Sequence, residues 1–203
     1  MSQALQILAR PSPNHGERRG VGALDMLVLH YTGMTSAEAA LERLCDPDVQ
    51  VSAHYLIDEA GGVHALVEES RRAWHAGAAS WRGRDDVNSA SLGIELANPG
   101  HEWGYRPFPE PQMVAAIALC RAILARHAIP ARHVLGHADV APGRKLDPGE
   151  LFDWQRLAAA GIGLWPQPIA APGRDLAPGD SGEDVARFQA ALATFGYCLV
   201  ADG

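Results

Sequence analysis

The sequence predicts an α/β (α+β) domain, a mixed central β-sheet flanked by helices, with a short C-terminal helical tail. Three segments carry that expectation. Met26-Leu27-Val28-Leu29 is apolar throughout and ends on His30, as suits a strand covered on both faces. Ser91–Ala97 (SLGIELA) alternates, with Leu92, Ile94 and Leu96 on one face and Gly93 and Glu95 on the other. From Pro111 to about His127, Met113, Ala116, Ile117, Cys120, Ile123 and Leu124 recur at three- and four-residue steps, the apolar stripe of a helix that Pro130 closes.

The other elements follow along the chain. Ser36 caps a short helix running to Leu44, with Leu41 and Leu44 on one side. Val51–Asp58 (VSAHYLID) reads as a strand, joined to Val63–Val67 through Gly61-Gly62, a hairpin turn whose glycines supply positive φ. Asp147-Pro148-Gly149-Glu150 combines an Asp cap, a first-turn Pro and a Glu three residues after the Asp, which predicts the start of another helix. Trp165–Gly182 is rich in Pro and Gly without either periodicity, and so reads as a linker. Beyond it, Val185, Phe188, Leu192 and Phe195 outline one amphipathic helix, too little to bury a core alone, so this tail either docks on the main domain or is a fragment. The division expected is 1–164 for the main domain, 165–182 for the linker and 183–203 for the tail.

Composition removes several function classes. Seventeen basic against 24 acidic residues leave a net charge of −7, with no basic stripe to hold a phosphate backbone, so nucleic acid is not an expected partner. Hydrophobic residues make up 47%, enough to build a core. Cys45, Cys120 and Cys198 form no C-x-x-C pair and read as small core residues. No stretch approaches the roughly twenty apolar residues of a membrane span, and Met1–Gly20 lacks the basic start and apolar middle of a signal peptide. A cytoplasmic location without membrane insertion is expected, or a periplasmic one if an upstream signal was removed.

Nine histidines invite a metal hypothesis. His15, His64, His101 and His127 fall at loop, strand-surface or helix-end positions and read as ordinary, as does His133 in the segment leading to His137. His30 ends a buried strand and His137 follows the apolar Val134-Leu135-Gly136, so both can project from a sheet edge into one cleft. Asp147 is the third candidate, although an Asp before Pro is also a common helix cap. In an extended segment Lys145 and Asp147 face the same way. Two imidazoles and a carboxylate make a three-ligand zinc site with one position left open, the pattern of catalysis. Such a site stays cationic and brings the pKa of water to about 7. Glu95, on the polar face of its strand, is then a proton acceptor, and Lys145 a cation for a developing oxyanion.

Six ordered blocks carry a resemblance to a known family: Leu29-His30-Tyr31-Thr32, Val51–Ile57 (VSAHYLI), Ala73–Gly77 (AWHAG), Gly93-Ile94-Glu95-Leu96, Gly136–Pro142 (GHADVAP) and Arg144–Gly149 (RKLDPG). Over roughly Arg10–Pro166 the chain resembles the type 2 N-acetylmuramoyl-L-alanine amidases, and the ending GIGLWP resembles the branch acting on both intact wall and anhydro-muropeptides. The resemblance implies the type 2 amidase or peptidoglycan-recognition-like fold. It also implies a zinc (Zn2+) hydrolase that cuts the amide between N-acetylmuramic acid and L-alanine of the stem peptide, with peptidoglycan or its muropeptide fragments as partners. His30, His137 and Asp147 match the family's metal ligands, Glu95 its catalytic glutamate and Lys145 its catalytic lysine.

The resemblance further implies substrate contacts for Trp74, His75, His54 and Asn88. Where relatives preferring diaminopimelate stems often carry Arg two residues before the Asn, this chain has Asp86, so either Arg84 takes the bidentate role or the peptide preference differs. Residues from Ser181 resemble the first helix of a peptidoglycan-binding module. Two other roles stand beside cytoplasmic recycling: a non-catalytic recognition module, which usually lacks a metal ligand, and an exported wall-degrading amidase.

Overall fold

The computed structural model describes residues 5–20, 22–167 and 173–203. In chain order the strands are β1 (Ile7–Ala9), β2 (His15–Gly16), β3 (Met26–Tyr31), β4 (Tyr55–Ile57), β5 (Val63–Ala65), β6 (Arg72–Ala73), β7 (Ser91–Leu96) and β8 (Val134–Gly136). The helices are α1 (Ala37–Cys45), α2 (Val87–Ala90), α3 (Gly100–Trp103), α4 (Glu110–Arg126), α5 (His137–Val140), α6 (Trp154–Ala159) and α7 (Glu183–Phe195). Six strands form one sheet in the order β1-β5-β4-β7-β3-β8, and β2 pairs with β6 in a separate ribbon. Within the sheet β4 and β5 are antiparallel and the other pairings parallel, so the expected mixed sheet is what forms.

Alternation along β3 and β7 sorts the two faces. Leu27, Leu29, Leu92, Ile94 and Leu96 pack under α4 through Met113, Ala116, Leu119, Cys120 and Ile123. The Gln112 amide, buried at the start of α4, donates to the carbonyls of Ile57 and Ala97 at 2.9 and 3.0 Å and fixes the helix over the strand ends. On the opposite face Met26 and Val28 meet Trp81, Val87, Leu135 and Val140, while Leu56 meets Ala40, Leu41 and Leu44. The candidate site residues His30 and Glu95 project from this second face, in register across the central β3–β7 pair.

Several local expectations change. The strand expected over Val51–Asp58 is limited to Tyr55–Ile57. Upstream, Ser52 is drawn to the loop at Trp74: its N–H donates to the Trp74 carbonyl and its hydroxyl accepts from the Trp74 N–H at 2.9 Å. In the hairpin turn only Gly61 has positive φ, because the Asp58 carboxylate accepts from the N–H groups of Ala60 and Gly62 and shapes the turn itself. Cys120 is buried, but Cys45 is half-buried and Cys198 exposed. No described helix is long and apolar enough to cross a membrane.

The tail docks on the main domain. Trp81 meets Phe195 and Tyr197 edge-on at centroid distances of 5.9 and 5.1 Å. The Arg82 N–H donates to the Gly196 carbonyl at 2.8 Å, and the Tyr197 hydroxyl donates to Asp139. The linker residues 168–172 lie outside the described residues.

Glu69 ties the end of α4 to β4. Its carboxylate accepts from Arg126 at 2.6 Å, His127 at 2.7 Å and the Tyr55 hydroxyl at 2.7 Å. Burial pushes its pKa up, but the hydrogen bonds from Arg126, His127 and Tyr55 win and hold it at about 2, against an ordinary 4.5. A pKa depressed in the folded state stabilises above the unfolded value, and that contribution is lost as pH falls from about 4.5 toward 2. Glu69→Gln is therefore expected to cost about 2–3 kcal/mol in urea unfolding at pH 7. The gap to wild type should close as pH falls through that window, and a gap that persisted unchanged would assign the loss to packing instead.

Candidate metal centre and cleft

His30 enters the site because its β3 neighbours fix the strand between β7 and β8, leaving the last residues at the open end of the sheet. His137 arrives from the adjacent β8, at the first residue of α5. Asp147 is brought in by the loop after α5, where the Ala138 N–H donates to the Asp147 carbonyl at 2.9 Å. The helix expected to start at Asp147 does not form. Residues 148–152 turn, and α6 begins only at Trp154, capped by Asp153, whose side chain accepts from the Arg156 N–H. The Asp147 carboxylate is turned inward instead.

His30 Nδ1, His137 Nδ1 and Asp147 Oδ2 lie 3.0 Å from one another in all three pairings. All three residues are buried, and they form a group able to hold a metal ion. That spacing suits a common ion about 2.0–2.2 Å from each atom, and the donor set of two imidazoles and one carboxylate suits zinc. Burial, then the neighbouring His137, push His30 down to about 4, despite the pull of Asp147. Burial opposes ionisation of Asp147, but the close approach of His137 and His30, each 3.0 Å from its Oδ2, holds its carboxyl well below the usual range. Neutral imidazole beside ionised carboxylate is the state in which these groups bind a cation.

A cleft of about 760 Å³ opens over this group. Glu95, Lys145, Trp74 and His75 all border it, together with Tyr31, Trp103 and Arg43. Glu95 is half-buried, and its Oε2 is shut off from solvent without a hydrogen-bond partner. Burial, then the Asp147 carboxylate, push Glu95 well above the usual carboxylate range, and Lys145 pulls the other way.

Three of the residues expected at the substrate do not border the cleft. His54 is fully buried, its Nδ1 accepting from the Gly93 N–H at 2.9 Å and its Nε2 lying 2.9 Å from the guanidinium of Arg18. Asn88 is buried in α2, where its side-chain oxygen accepts from the N–H groups of His75 and Ala76. Arg84 pairs with Asp25 at 2.7 Å. Asp86, two residues before Asn88, caps α2 and pairs with Arg72 at 2.9 Å. The cations that border the cleft are Arg43, Arg144 and Lys145. Arg43 lies on the polar side of α1 and gives no sequence signal of its own, whereas Arg144 lies inside the RKLDPG block, whose resemblance assigns roles to Lys145 and Asp147 alone.

The family model of N-acetylmuramoyl-L-alanine amidase matches residues 20–150. Among curated relatives, the N-acetylmuramoyl-L-alanine amidase AmiD of Escherichia coli is 42% identical over 155 residues, covering 70% of this chain and 55% of AmiD. The chain thus spans about half the length of that relative. The 1,6-anhydro-N-acetylmuramyl-L-alanine amidase AmpD of Haemophilus influenzae is 30% identical, covering 73% of this chain and 89% of AmpD. Among solved structures, a complex of E. coli AmiD with the substrate anhydro-N-acetylmuramic acid-L-Ala-D-gamma-Glu-L-Lys superposes with a TM-score of 0.70 at 33% identity. That match covers 94% of this chain and 82% of the other. The matched span contains β3, β7 and β8 with all five residues of the metal group and its flanking Glu95 and Lys145, and the chain belongs to the N-acetylmuramoyl-L-alanine amidase family.

Proposed function

We propose that the chain is a zinc-dependent hydrolase that cleaves the amide between N-acetylmuramic acid, or its 1,6-anhydro form, and L-alanine of the stem peptide. The observation that carries this reading is the convergence of His30 Nδ1, His137 Nδ1 and Asp147 Oδ2 beneath a cleft that also receives Glu95. The ion, when bound, supplies positive charge that acidifies water and polarises a carbonyl. The chain supplies the rest. Glu95, its proton affinity raised by burial, takes a proton from the attacking water and returns it to the leaving amine. Lys145, half-buried at the cleft, places its ammonium where the lactyl carbonyl oxygen gains charge. Trp74 offers an aromatic face to the sugar or the peptide.

The catalytic unit in this reading is 1–164, joined by 165–182 to the tail at 183–203. Relatives named for 1,6-anhydro substrates match along nearly their whole length, which supports a role in recycling wall fragments, and a cytoplasmic location goes with that role. Retention of all three ligand residues and Glu95 favours an enzyme over a recognition module.

Metal analysis of the purified protein is expected to find about one zinc per chain, in line with one three-ligand group. Mass spectrometry after incubation with an anhydro-muropeptide and with intact sacculi should show peptides beginning with L-alanine from both, with the free anhydro-sugar only from the soluble fragment and the glycan strands left whole in the sacculi. Faster turnover of the soluble fragment supports recycling, faster release from sacculi supports an exported wall enzyme, and binding without cleavage of either would replace the enzyme with a recognition module.

A further inference from the structure

Each ligand imidazole is held from behind by one short segment, His75-Ala76. His137 Nε2 lies 2.9 Å from the Ala76 carbonyl. The Arg144 guanidinium, which only donates, is farther from Nε2 at 3.4 Å and is turned to the Ala76 and Ala78 carbonyls. The nearer carbonyl only accepts, so His137 carries its hydrogen on Nε2 and leaves Nδ1 bare toward the ligand group. His30 Nε2 lies 3.0 Å from His75 Nδ1, a contact between two ring nitrogens of which only one can hold the proton.

Ser91 decides which. Its hydroxyl donates to the Val87 carbonyl at 2.7 Å, which spends its single hydrogen. Toward His75 Nε2, 3.1 Å away, the hydroxyl oxygen can then only accept. His75 accordingly carries its hydrogen on Nε2, its bare Nδ1 accepts from His30 Nε2–H, and His30 Nδ1 is left bare for a cation. The direction of this chain is set by a backbone carbonyl of α2, with no metal needed.

The segment that does this is itself clamped. The Asn88 side-chain oxygen accepts from the N–H groups of His75 and Ala76 at 3.1 and 2.8 Å. The Arg144 guanidinium donates to the carbonyls of Ala76 and Ala78 at 2.7 and 2.6 Å. The His75 ring lies flush against β7 because residue 93 is glycine; a Cβ there would run into the ring.

We infer that His75 is a positioning residue that presets the tautomer and orientation of His30 before metal arrives, with Ala76 doing the same for His137 and Asn88 fixing both. This inference rests on the zinc reading above. It gives Asn88 a task behind the ligands in place of the substrate contact expected for it, and gives His75 one in addition to its place at the cleft. Outer partners of this kind are worth roughly 10–100-fold in metal affinity.

Long-range nitrogen–proton NMR of the zinc-free wild-type protein, labelled at histidine, should show His75 protonated on Nε2 and bare on Nδ1, with the same tautomer after zinc is added. A His75 protonated on Nδ1 without zinc would overturn the inference. Zinc affinity, read by chelator competition, separates positioning from bulk. In His75→Asn an oxygen replaces Nδ1 as acceptor, and affinity should stay within about threefold of wild type, whereas the similarly sized His75→Leu should lose roughly 10–100-fold. Gly93→Ala removes no hydrogen-bonding group and should match His75→Leu. Equal affinities for the Asn and Leu variants would also overturn it, with thermal unfolding of the zinc-free proteins checking the fold. A wild-type protein that binds no zinc would sink the zinc reading, while the His75 tautomer would still be read independently.

Discussion

Glu95→Gln is expected to keep about one zinc per chain while lowering kcat on an anhydromuramoyl peptide by roughly 10²–10⁴-fold, the usual worth of a positioned acid–base group. Glutamine has the size of the residue it replaces and can accept a hydrogen bond, but it cannot take up and return a proton. Glu95 is not one of the three grouped ligand residues, and its Oε2 already lacks a hydrogen-bond partner, so the substitution breaks no bond there. Metal content and kcat are therefore expected to part company. If both fell together, Glu95 would be holding the metal group in shape; if neither fell, the acid–base role would belong to another residue. Steady-state kinetics with metal analysis of the same preparation distinguishes these results.

Asp147→Ala should have the opposite signature, losing metal and activity together. Its carboxylate is the single acidic side chain between two imidazoles, and it contacts both. Removing it should cost more than the roughly 10–100-fold associated with a lost outer partner, leaving turnover at background. A thermal readout is available as well. A ligand that binds only the folded protein adds about 2.7 kcal/mol of stability at one hundred times its Kd. Zinc should therefore raise the unfolding temperature of wild type and leave that of Asp147→Ala in place. A zinc-dependent rise retained in the variant would show that the ion is held elsewhere.

Of the five candidate site residues, His30 and Glu95 were legible because two strands announced their own faces, while the full set rested on the family blocks. Alternation in Ser91–Leu96 assigned Glu95 to the polar side, and the apolar run from Met26 fixed where His30 would emerge. Asp147 was harder, since Asp-Pro-Gly-Glu is as good a helix start as it is a ligand loop, and local signals cannot weigh a contact with His30 made across 117 positions of sequence. The same limit applies to His54, Arg84 and Asn88. Each is polar and lies near a family block, yet their partners are Gly93, Asp25 and the His75-Ala76 backbone, contacts that exist only after the sheet assembles. The tail helix was legible from its apolar spacing, while the surface that receives it was not, because Trp81 is a lone aromatic in its segment.

His30 and Glu95 occupy one rung of adjacent parallel strands, a separation set by main-chain pairing, whereas Thr32–Thr35 and Pro99–Trp103 along the rim belong to loops and a four-residue helix. The proposed reacting geometry and the walls of the cleft thus have different mechanical supports. Grafting rim segments between family members should accordingly redirect selectivity without recalibrating the distance between ion and base.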